Sequence, residues 1–245
     1  MPTVSIATDI PVQRYARIAG VLLLLSIVGG FFGELYLPSR LIVEGDAAAT
    51  ARNLTTLDSL YRLGFAGYLL EAVCDVSLTL VFYVLLRPVN RELALATVLF
   101  GVISTTLFAV GEAFYFAPPL LLSGADYLTV FTTEQLNAFA YLAIKMYGRV
   151  AGIFMLFYGA ATLLRGYLIL RSGFLPGLLG ILMMVAGTGF IVRNFVLVLA
   201  PAYASDLFLA PMFLAAVSLT GWMLVKGVDV PKWRAMATSG RDLAG

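Results

Sequence analysis

The 245-residue sequence contains no histidine and a single cysteine, and only 12% of its residues are charged. Without an imidazole there is no histidine-ligated haem, no zinc or copper site of the usual kind, no Ser-His-Asp triad and no histidine proton relay. Cys74 alone cannot close an intramolecular disulfide or hold an iron–sulfur cluster, and reads as a small buried apolar residue. No glycine loop of the phosphate-cradling kind occurs. Sixteen basic and fourteen acidic side chains give a net charge of +2, whose distribution matters more than its sum, and a chain this poor in charge and rich in apolar surface is expected to have no nucleic-acid partner. No cofactor and no metal site is expected.

Hydrophobic side chains are what the sequence has in excess. They make up 61% of the chain, against roughly 45–50% in soluble domains, and mean hydropathy is +0.95. So few charges cannot keep that apolar surface in water, and the sequence reads as an integral membrane protein whose first partner is the lipid bilayer. About 20 apolar residues cross a bilayer as a helix. Six such stretches occur, over 15–37, 60–86, 93–122, 138–164, 174–200 and 207–225. Pro38, Pro88, Pro118, Pro119, Pro176 and Pro201 stand at or just beyond their ends, where a missing backbone donor does least harm. Pro211 falls inside the sixth stretch and predicts a kink there. The expected fold is all-α: a polytopic six-transmembrane-helix bundle forming one domain over 1–245.

Basic residues set the expected orientation. Arg14, Arg17, Arg87, Arg91, Arg165, Arg171, Lys226, Lys232, Arg234 and Arg241 fall on one side, and only Arg40 and Arg52 lie in loops on the other. The positive-inside rule then puts both termini in the cytoplasm. The first stretch follows Arg14 and Arg17 but has no small-residue cleavage site at the proper distance, so it reads as an uncleaved anchor. Beyond it, Asp46 before Ala47, Ala48 and Ala49 predicts an N-capped short helix in the loop from Pro38 to Ser59. Asn53-Leu54-Thr55 is a glycosylation acceptor by pattern, relevant only in a eukaryotic secretory pathway. Gly29 with Gly33, Gly148 with Gly152 and Gly173 with Gly177 have the four-residue spacing that lets membrane helices approach closely. Arg17-Ile-Ala-Gly20 is echoed by Arg149-Val-Ala-Gly152, the only trace of an inverted repeat of three helices.

The informative residues are those a bilayer should reject. Glu71 and Asp75 lie in the second stretch, Glu112 in the third, Lys145 and Arg149 in the fourth, and Arg193 beside Asn194 in the fifth; Glu34 and Arg62 stand nearer the ends of theirs. A charge at a helix centre costs about 2.5–3.5 kcal/mol, so six unpaired ones would cost roughly 15–20 kcal/mol, more than a typical fold's stability. They must face the bundle interior or a wet cavity and neutralise one another. Glu71 and Asp75 are one helical turn apart, as are Tyr141, Lys145 and Arg149, so an acidic and a basic stripe come from different helices. Glu112 shares its face with Thr105, Phe108 and Tyr115. The expectation is an outward-opening cavity in which Arg149 and Arg193 clamp a small anion and the acids carry a proton or cation. Two other readings stay open. In one, the charges are structural ion pairs of an assembly subunit. In the other, neighbouring carboxylates act as acid and base in a membrane enzyme.

The runs Ala16-Arg-Ile-Ala-Gly20, Arg40-Leu-Ile-Val-Glu-Gly-Asp-Ala-Ala-Ala-Thr50 and Leu85-Leu-Arg-Pro-Val-Asn-Arg-Glu-Leu-Ala-Leu95 resemble the bacterial membrane family catalogued as domain of unknown function 4386. The resemblance implies a six-helix protein of the bacterial inner membrane with no assigned activity. It supplies no catalytic residues. The functional expectation is a membrane protein that binds or transports a small molecule or ion, with its oligomeric state open.

Overall fold

In the computed structural model, which describes residues 11–203 and 205–242, six helices are long and apolar enough to cross a membrane, and no strand occurs among the described residues. They are α1 (Val12–Leu41), α3 (Asp58–Leu86), α4 (Arg91–Tyr115, prolonged by a short turn to Leu121), α5 (Thr133–Ser172), α6 (Gly177–Leu199) and α7 (Ala210–Val225). Two shorter helices, α2 (Ala47–Thr56) and α8 (Val230–Asp242), complete the set. The side chain of Arg241, one of the basic residues expected in the cytoplasm, lies outside the described residues. The spans expose aliphatic and aromatic side chains such as Val73, Leu99, Val198, Phe213 and Val217, as a surface in contact with lipid must.

Three local features depart from the sequence reading. The helix containing the fourth stretch does not stop at Leu164 but continues to Ser172, because Arg165 turns inward and is only 6% exposed. It is not the loop charge that its place among the basic residues suggested. The break comes at Gly173, whose φ of +64° is a helix-ending conformation open to glycine. Pro211 makes no kink, since it occupies the first turn of α7, where no backbone bond is lost. Pro38 lies within a continuous α1, preceded by a π-helical segment, Phe31–Tyr36. The widened turn relieves the clash between a proline ring and the carbonyl four residues back. The predicted cap at Asp46 is present: its side chain accepts from the Ala49 amide at 2.8 Å.

The chain divides into two compact units, and each of the first four spans contributes one half to each. The larger comprises Met1–Leu24, Asp75–Ser104 and Met155–Gly245; the smaller comprises Leu25–Cys74 and Thr105–Phe154.

In the larger unit, α5 and α6 form an antiparallel pair hinged at Gly173. A Cβ on Gly166 would lie 2.7 Å from the Gly180 carbonyl oxygen, and one on Gly187 would lie 2.6 Å from that of Gly159. These four glycines stand seven and fourteen residues either side of the hinge, so two helical turns separate successive contacts. At Gly148, the first glycine of an expected four-residue pair, a Cβ would meet nothing within 4 Å among the described residues. The last carbonyls of α7 are satisfied from α1: Gln13 donates to Lys226 at 2.7 Å, and Arg17 donates to the Met223 carbonyl at 3.2 Å and to that of Leu224. α8 docks through Trp233, which is 1% exposed and donates to the Leu85 carbonyl at 2.9 Å. Hydrogen bonding by the Lys232 amide and side chain holds the Asp229 carboxyl just before this helix below its usual range.

Candidate functional site

The smaller unit is organised around aromatic rings. α3 supplies Tyr61 and Tyr68, seven residues apart on one face; α4 supplies Phe108 and Tyr115; α5 supplies Tyr147 and Phe154. Tyr115 is the hub, with ring centroids at 5.1 Å to Tyr61, 5.3 Å to Tyr68 and 5.2 Å to Tyr147. Phe108 meets Tyr68 and Phe154 edge-on at 5.8 and 5.1 Å. Leu54 of α2, with Leu37 and Leu41 of α1, packs onto the same cluster. Offset and edge-to-face ring pairs each contribute about 0.5–1.5 kcal/mol beyond burial, so the cluster is a stiff scaffold.

Carboxyl groups are set into that scaffold. Glu112 lies one turn from both Phe108 and Tyr115, is 3% exposed, and neither of its oxygens has a hydrogen bond of good geometry among the described residues. The Tyr147 hydroxyl is close enough to act on Glu112, but its bond is to the Tyr68 hydroxyl, at 3.4 Å. Tyr61 and Tyr115 also have hydroxyls without a partner among the described residues. Glu34, carried on the π-helical segment of α1, is within electrostatic reach of Glu112, Tyr68 and Tyr147. Glu71 lies against glycine backbone: its Oε1 would be 3.1 Å from a Cβ on Gly30, and its Cβ 3.6 Å from one on Gly29. A Cβ on Gly33 would sit 2.8 Å from the Tyr68 ring, so the Gly29 and Gly33 pair does mark a close approach.

A buried carboxylate without donors is costly unless a proton or a cation neutralises it. Phenol hydroxyls within the same cluster supply oxygen atoms that can both donate to a carboxyl and accept from a hydrated cation. The chemistry available here is reversible proton or small-cation binding among packed aromatic rings.

The predicted basic stripe has a different surrounding. Lys145 pairs with Glu44 at 2.6 Å, and Tyr141 donates to the same carboxylate at 3.3 Å while accepting from the Gly45 amide at 2.9 Å. The group fastens the loop before α2 to α5, and the Lys145 ammonium, through its hydrogen bond and then its charge, holds the Glu44 carboxyl below its ordinary value of 4.5. Arg149 is exposed. Asp75, Arg193 and Asn194 belong to the larger unit, where Arg193 is half-buried and the buried Asn194 donates to the Phe190 carbonyl at 2.8 Å. Cys74 is buried, 2% exposed.

Glu34 and the tyrosines belong to the cluster around Glu112, although hydropathy does not single them out. The seven-residue spacing of Tyr61 and Tyr68 was a usable signal, whereas a π-helical turn has none beyond the proline after it. Glu44 was visible only as a loop acid. Its pairing with Lys145 spans 101 residues of sequence.

The profile of the family described as "Domain of unknown function (DUF4386)" matches residues 18–227. The chain is 25% identical over 161 residues to an uncharacterized protein of Archaeoglobus fulgidus, an alignment covering 66% of this chain and 82% of that protein. No solved structure matches it. A match over this much of the sequence places the chain in that family.

Proposed function

We propose that this member of a family of unknown function is a membrane protein that binds and exchanges protons or a small monovalent cation at an acidic, tyrosine-lined centre built from Glu112 and Glu34, with Glu71 one turn beyond Tyr68 on α3. The observation that carries the reading is Glu112, a 3% exposed acid with two unbonded carboxylate oxygens beside Tyr115 and Tyr147. An acid kept buried among aromatic rings at such expense is characteristic of proton and ion pathways. The acids favour a cationic ligand over the small anion suggested by Arg149 and Arg193. Lys145 and Tyr141 enter as the fastening of the neighbouring loop rather than as ligands. With Arg165 set aside, the remaining basic residues still favour cytoplasmic termini, which puts the acidic centre towards the outside of a bacterial inner membrane.

The test uses purified full-length protein in liposomes loaded with a pH-sensitive dye, under a potassium diffusion potential. External acid pulses with and without sodium separate the two cations. The wild type is expected to carry a proton or sodium flux that Glu112→Gln abolishes while remaining monodisperse in detergent. Equal flux in the wild type and the variant, or none in either, overturns the reading.

A further inference from the structure

We infer that the larger unit contains a second site, independent of the acidic centre, that binds a small oxyanion through Arg165 and Thr162 of α5. Tyr158, Thr162 and Arg165 recur at spacings of four and three residues and so share one helical face. Arg165 is the arginine the hydropathy pattern hides: it stands among leucines, is 6% exposed, and lays its guanidinium 4.6 Å from the centre of the Phe82 ring. Its Nε has no acceptor among the described residues. Asp75 and Tyr158 act on it electrostatically. A guanidinium removed from water with a donor unfilled costs far more than one at a surface.

Thr162 makes the second observation. It is wholly buried, and its hydroxyl has no partner among the described residues. Threonines elsewhere in this unit settle that need within their own helix. Thr79 donates to Asp75, Thr97 to Ala94, Thr188 to Met184 and Thr220 to Ala216, each through a carbonyl three or four residues back. Thr162 stands on a regular helix and makes no such bond. Its free hydroxyl lies one turn from the unfilled Nε donor.

Two donors on one buried face, one of them part of a planar fork, match a carboxylate or phosphate group. The Phe82 ring covers one side of the guanidinium, which limits where such a group can approach. Asp75 is the resident competitor: its charge attracts Arg165 and repels an incoming anion. Neutralising it should therefore strengthen binding, whereas no gain in anion binding is expected if Arg165 serves only as the counter-ion of Asp75.

The oxyanion could be free in solution or part of a lipid headgroup, and the test separates these sources. Full-length protein in neutral detergent is titrated with inorganic phosphate and with acetate against chloride at constant ionic strength, and its melting temperature is followed. It is also melted in nanodiscs of phosphatidylcholine with and without phosphatidylglycerol. The wild type is expected to be stabilised by phosphate or acetate over chloride, or by phosphatidylglycerol alone if the source is a headgroup. Asp75→Asn should tighten the response, and Thr162→Val should weaken it about fivefold, the effect of one lost hydrogen bond. Arg165→Lys, which keeps the charge and loses the fork, should abolish it. If Arg165→Lys does not fold, the opposite responses of Asp75→Asn and Thr162→Val decide. No specific stabilisation of either the wild type or Asp75→Asn, or a response unchanged in Thr162→Val, overturns the inference.

Discussion

The two units handle buried charge in opposite ways. In the smaller one, Glu112 lies among phenols, which are polar enough to share a proton; in the larger, Arg165 lies over the Phe82 ring within electrostatic reach of Asp75, one turn from the unbonded Thr162 hydroxyl. Their packing differs as well. The smaller unit is filled by large rings, four of them tyrosines, whereas the α5–α6 pair of the larger unit depends on glycines that bring backbone against backbone. The lesson is that what surrounds a charge in a membrane helix matters as much as its distance from an opposite charge: shared polar oxygens in one unit, and a flat aromatic face with Asp75 in electrostatic reach in the other. Counting opposite charges along the sequence is therefore a poor guide to which of them meet.

The largest expected effect strikes the glycine packing. Gly180→Leu would drive a side chain into the Gly166 carbonyl and the Leu170 backbone, 2.6 Å from where its Cβ must lie. A loss of about 3 kcal/mol or more is expected, seen as a collapse of the melting temperature in detergent. A near-neutral result would show that the backbones separate readily. Next comes Glu112→Leu. Removing an unbonded buried acid should stabilise the protein by about 1–3 kcal/mol, whereas breaking a true buried ion pair would destabilise it by about 3–5 kcal/mol. The sign of the change in melting temperature separates the two.

Trp233→Phe keeps the ring volume of α8 largely in place and deletes the donor to Leu85, so about 1 kcal/mol should be lost, with faster protease cleavage of the tail. Glu44→Gln should have the smallest effect, under about 1 kcal/mol, because Glu44 is 77% exposed. Its folded carboxyl is held below the ordinary value of 4.5, so the stability contributed by the Lys145 pair is complete above that value and fades as pH falls through the lowered one. The difference in melting temperature between wild type and variant should shrink on acidification below 4.5; a difference constant with pH would contradict the pairing.

Much of the fold was legible because lipid imposes one strong rule, that every backbone group in a span be bonded internally, and long apolar runs are its consequence. The six spans and the Asp46 cap could be read from the residues alone. The end of α5 could not, because Arg165 resembles a helix-flanking charge until its burial against Phe82 is known. Pro211 misled for a similar reason: hydropathy does not distinguish the first turn of a helix from its interior. Of the candidate site, Glu71 and Glu112 were legible as charges in apolar runs. Tyr115 was legible as a neighbour on the face of Glu112, but its meeting with Tyr61, Tyr68 and Tyr147 of other helices was not, since an aromatic residue in such a run is ordinary. Glu34 depended on a π-helical turn that residue types do not announce, and the Lys145 partner came from a loop acid far away in sequence.

The central claim is that Glu112 exchanges a proton or small cation inside the tyrosine cluster. Difference infrared spectroscopy of the full-length protein in lipid, recorded on switching pH or sodium concentration, reads that carboxyl group directly. The account predicts a protonated-carboxyl band at the high frequency of an apolar, weakly hydrogen-bonded acid that responds to the switch and is missing in Glu112→Gln. A spectrum with no responsive carboxyl band, or one that persists unchanged in Glu112→Gln, would contradict it.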